Sequence, residues 1–136
     1  MTDADIGKAF AALAARLIPA TDTMPAIGDV ADLEQGMATA LNSRPDLRGD
    51  IMRGIGVVHR DGVDAAIVSL QADDRSAWAA LGLAAASIYY TAPPVQAILG
   101  YRGPERRTYD ADATPEYVTN GMLDLVKQRG PIWRRA

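Results

Sequence analysis

The sequence predicts an all-α protein: one domain, residues 1–136, folded as a compact bundle of about six helices around a central apolar helix at about residues 73–92. Three observations carry this. No segment shows sustained two-residue alternation with β-branched enrichment, the signature of a half-buried strand. Apolar residues instead recur at spacings of three and four along most of the chain. From Ser76 to Leu99 there is no charged side chain. A helix that is apolar on every side has to be covered on every side, so this stretch is expected to be enclosed by the rest of the fold or by a partner.

The first helix is expected over residues 4–18, with Ile6, Phe10, Leu13, Leu17 and Ile18 on one face and alanines between them. Pro19 ends it, because the residue before a proline is pushed out of the α region. Residues 19–28, PATDTMPAIG, form a loop that two prolines make stiff and in which Asp22 and the threonines can bond local backbone amides. A second helix is expected over 29–43, capped by Asp29, with Val30, Leu33, Met37 and Leu41 inward and Gly36 letting another helix come close.

A third helix is expected over 45–58, with Pro45 at the first helical position and Leu47, Ile51, Ile55 and Val58 inward. His59-Arg60-Asp61-Gly62 then reads as a polar turn. A fourth helix covers 63–72. Asp73 and Asp74 stand where negative charge favours a helix N-terminus, and open the central helix. In that helix Tyr89 and Tyr90 point to different faces, and the buried one needs a partner for its hydroxyl. Pro93-Pro94 breaks it, and Val95 to Leu99 makes one further turn. Gly100-Tyr101-Arg102-Gly103 is a turn whose glycines permit positive φ. Residues 104–113 read as an extended segment. A last helix is expected over 115–128, with Val118, Met122, Leu125 and Val126 inward and Gly130 closing it, followed by a tail bearing Trp133.

Composition excludes several chemistries. There is no cysteine and one histidine, so disulfides, thiolate catalysis and multi-histidine metal sites are ruled out. The net charge of −3 gives no footprint for nucleic acid. The apolar part of the central stretch, 77–90, is shorter than the roughly 20 residues a membrane span needs, so no direct membrane insertion is expected. The N-terminal stretch lacks the basic and long apolar regions of a secretory signal. The expected location is cytoplasmic, or periplasmic if a leader has been removed or the chain travels with an exported partner. His59, Tyr89, Tyr90, Tyr101 and Asp22 are the only candidates for catalysis, and no pair of them stands at a spacing that predicts a catalytic contact.

Four stretches recur together in a recognisable order: RLIPATDTMPA, ASIYYTAPPVQAILGYRG, TPEYVTNGMLDLV and RGPIWRR. They resemble the gluconate 2-dehydrogenase subunit 3 family, the small subunits that accompany flavin dehydrogenases acting on sugars and sugar acids. Ile18-Pro19 with Asp22, and Leu99-Gly100-Tyr101 with Gly103, carry the resemblance most specifically. Arg102 stands where family members typically have proline, and Trp133 where tyrosine is common. The resemblance implies an all-α accessory subunit without a catalytic group or cofactor of its own. It implies a large glucose-methanol-choline type partner that holds FAD and, in some complexes, haem in a further subunit. The residues expected to meet that partner are Pro19, Asp22, Tyr89, Tyr90, Pro93, Pro94, Leu99, Gly100, Tyr101, Gly103 and Trp133. The alternative is a free-standing helical binding module, paired with a second copy or holding a small hydrophobic ligand.

Overall fold

The computed structural model describes residues 2–104 and 113–132. Among these residues every regular element is a helix, and they fall into two compact units that divide at Gly103/Pro104. The first unit holds seven helices: α1 (Asp3–Leu17), α2 (Ile27–Val30), α3 (Leu33–Ser43), α4 (Arg48–Asp61), α5 (Val63–Asp73), α6 (Arg75–Thr91) and α7 (Pro93–Ile98). The second holds α8 (Glu116–Thr119) and α9 (Asp124–Arg129).

Helix α1 begins at a capping box. The Thr2 hydroxyl accepts from the Asp5 amide, and the Asp5 carboxylate accepts from the Thr2 amide at 2.8 Å. Its face of Ile6, Ala9, Phe10, Leu13 and Ala14 is buried. Helix α6 is the shared partner, packing against α1, α3, α4, α5 and α7. Leu81, Ala77, Ala84, Ala85 and Ile88 of α6 meet a core that includes Phe10, Met37, Ile51, Ile55 and Leu70.

Two glycines set how closely helices approach α6. A Cβ on Gly36 would come within 2.9 Å of Ile88 Cγ2, so the small residue expected to admit a neighbour does so. A Cβ on Gly54 would come within 2.5 Å of Leu81 Cδ1, a closer fit that the sequence pattern does not single out.

Several expected boundaries move. The second helix does not run unbroken from residue 29. Ile27–Val30 forms a separate turn, Ala31 is extended, and Asp32 rather than Asp29 caps α3 by accepting from the Gln35 amide. The third helix starts at Arg48, so Pro45 lies in a turn ahead of it and not at its first position. It also runs on through His59, Arg60 and Asp61, leaving only Gly62, at φ 81°, to turn the chain. Apolar spacing ends at Val58, but a helix continues for as long as its carbonyls find donors, and the Gly62 amide bonds the Val58 carbonyl.

Asp73 ends α5, while Asp74 alone caps α6 through the Ala77 amide at 3.1 Å. The last expected helix is broken in two between Thr119 and Asp124, with Gly121 at φ 84° in the gap. Met122, Leu125 and Val126, expected inward, are exposed.

The fold itself encloses the central helix on one side only. Ala79, Leu83 and Tyr90 lie exposed along its outer side, at helical spacings of four and seven. No charge accompanies them, because alanine, glycine and serine fill the places between and cost little when wet.

Candidate functional site

The Pro-Pro break creates the site. Prolines at the first two positions of a helix lose no intrahelical hydrogen bond, and their fixed φ is already helical, so α7 restarts one residue after α6 stops. The new axis drives Val95 into the core, where it is fully buried, packs α7 against α2, and turns Ile98 and Leu99 outward.

The end of α7 is closed by a paired backbone cap. The Tyr101 amide donates to the Gln96 carbonyl at 2.9 Å and the Gly100 amide to the Ala97 carbonyl at 3.1 Å. This is the Schellman pattern, and it requires a left-handed residue at its fifth position. Gly100 supplies it at φ 67°. Tyr101 is thereby folded back beside the helix it follows.

Tyr90, Thr91, Gln96, Leu99 and Tyr101 line one open hollow of about 530 Å³. Gln96 Nε2 donates to the Tyr90 carbonyl at 3.3 Å and ties the end of α6 to α7 across its floor. Tyr90, Ile98, Leu99 and Tyr101 are each more than half exposed, and the next residue, Arg102, is exposed as well. The result is an aromatic-edged apolar surface with a cation beside it.

Tyr89 is not on that surface. It is 3% exposed, and its hydroxyl donates to the Pro25 carbonyl at 2.8 Å. Its ring meets Tyr90 edge-on with centroids 5.4 Å apart. The one contact anchors the 19–26 loop to α6. The loop is also closed on itself by Thr21, whose amide donates to the Met24 carbonyl, and by the Ile27 amide bonding the Ile18 carbonyl. Pro19 and Asp22 are exposed on this loop and do not line the hollow. Pro93 lines a separate groove with Gly36, Ala40 and Ile88, and Pro94 is exposed. Gly103, at φ 77°, ends the first unit. Trp133 lies outside the described residues.

The structure therefore gathers Tyr90, Leu99, Gly100 and Tyr101 and leaves Pro19, Asp22, Tyr89, Pro93 and Pro94 off that hollow. Gln96, Thr91 and Ile98 were not singled out from sequence. Their only signal is position: Thr91 ends α6 just before the two prolines, and Gln96 and Ile98 lie on α7, which the prolines restart.

Of the candidates for catalysis, Tyr90 and Tyr101 line the hollow and Tyr89 packs against Tyr90, while Asp22 and His59 line no part of it. His59 is exposed near the end of α4 and lines an open groove with Asp5 and Lys8. The Asp5 carboxylate in that groove is committed to Thr2, whose backbone and hydroxyl donors hold it below the usual carboxylate range. Among the described residues, no group of three or more metal-ligating side chains is placed to hold an ion, and no helix is long and apolar enough to cross a membrane.

The densest polar cluster is structural in form. Arg53 of α4 reaches Asp50 at 2.6 Å and Asp74 at 3.1 Å, and Ser76 bonds Asp74 at 2.9 Å. The Arg53 guanidinium, then the Ala77 amide and the Ser76 hydroxyl, hold the Asp74 carboxyl at about 2. An acid kept so firmly ionised serves as a cap and an ion-pair partner, not as a proton donor near neutral pH.

No family model, curated protein or solved structure matches the chain.

Proposed function

We propose that the chain is a non-catalytic small subunit that binds and stabilises a large FAD-dependent dehydrogenase of the glucose-methanol-choline type, and that it does so through the surface around Tyr90, Leu99 and Tyr101. The observation that carries this reading is the open hollow between α6 and α7. Its walls are apolar and aromatic, they are largely exposed, and they include Leu99 and Tyr101 of the turn that is one of the two most specific parts of the sequence resemblance.

Exposed apolar patches with polar rims mark partner surfaces. Tyrosine and arginine are among the residues that carry most binding energy once they are desolvated at an interface. Tyr90 and Tyr101 line the same hollow, and Arg102 follows Tyr101 directly, so both types are supplied at one surface. The partner would hold the flavin, and a haem subunit where one is present. This chain would contribute shape and stability to the flavoprotein, and its location would follow the partner's.

Co-expression tests the reading. The flavoprotein is expected to be more soluble and more completely loaded with flavin when this chain is present. Equal solubility, flavin content and activity without it would remove the proposal.

A further inference from the structure

We draw no further inference here: the strongest candidate beyond the α6–α7 hollow, the charge-free outer stripe of α6 formed by Ala79, Leu83 and Ser87, is an unpartnered helix face and nothing in the structure shows what covers it.

Discussion

Single side chains decide how the helices meet. Gly54 faces Leu81, which is fully buried and has no free direction in which to yield. Replacing a helical glycine by alanine ordinarily gains about 1 kcal/mol, but overpacking a tight core costs about 1–3 kcal/mol. We therefore expect Gly54→Ala to lower the midpoint of thermal unfolding. Gly56→Ala, where a Cβ meets nothing within 4 Å, should raise it. Tyr89→Phe removes the bond to the Pro25 carbonyl and should cost about 1 kcal/mol, measured by denaturant unfolding. The sequence put the two adjacent tyrosines on different faces and implied that one would place its hydroxyl at a boundary, where it could find a partner. It could not show which carbonyl, because Pro25 lies 64 residues away and is brought there by packing. Gly36 was legible because it interrupts an apolar stripe on its own helix. The tighter contact at Gly54 was not, because it depends on which α6 side chain faces it across the core.

At the scale of elements, caps and breaks were more legible than lengths. Pro93-Pro94, Gly100 and Gly130 each act where their backbone chemistry says they must. The starts of α3 and α4 moved because the selected cap, Asp32 in place of Asp29, and the turn at residues 45–47 are settled by tertiary packing over local preference. The Asp74 cap has a pH consequence. Its carboxyl sits at about 2 in the folded chain, below its ordinary value of 3.8. The charged form is thus favoured by folding, and the stabilisation it gives is full above about pH 4 and is lost as pH falls toward 2. Asp74→Asn keeps a good cap but loses the charge facing Arg53. Its unfolding midpoint should depend less steeply on pH than the wild type's between pH 4 and 2. An unchanged slope would show that the Arg53 pairing contributes nothing. In the candidate site itself, Gly100→Ala places a Cβ in the left-handed region, at a cost of about 1–2 kcal/mol. Because Gly100 is exposed at the edge of its unit, that strain should loosen the Tyr101 turn, read as faster amide exchange there, with the core of α4 and α6 protected as before.

For the molecule as a whole, the all-α character was legible from periodicity, and the prominence of the charge-free helix was legible from composition. Where that helix is left bare was not. Alanine, glycine and serine read as apolar spacing in a sequence, yet they sit equally well in a core or in water, so Ala79 and Ser87 could be placed only by the fold. The central claim is that the Tyr90–Leu99–Tyr101 surface is made to be covered by a flavoprotein. It is tested most directly by affinity purification of the full chain from its native cells, reading the flavin absorbance and dehydrogenase activity of what copurifies. The wild type is predicted to bring down a flavin-loaded dehydrogenase in stoichiometric amount. Leu99→Glu and Tyr101→Ala, both at exposed positions and so expected to fold normally by circular dichroism, are predicted to lose at least tenfold of it, the equivalent of about 1.4 kcal/mol. Recovery of the same flavoprotein by the folded variants, or of none by the wild type, would contradict the account.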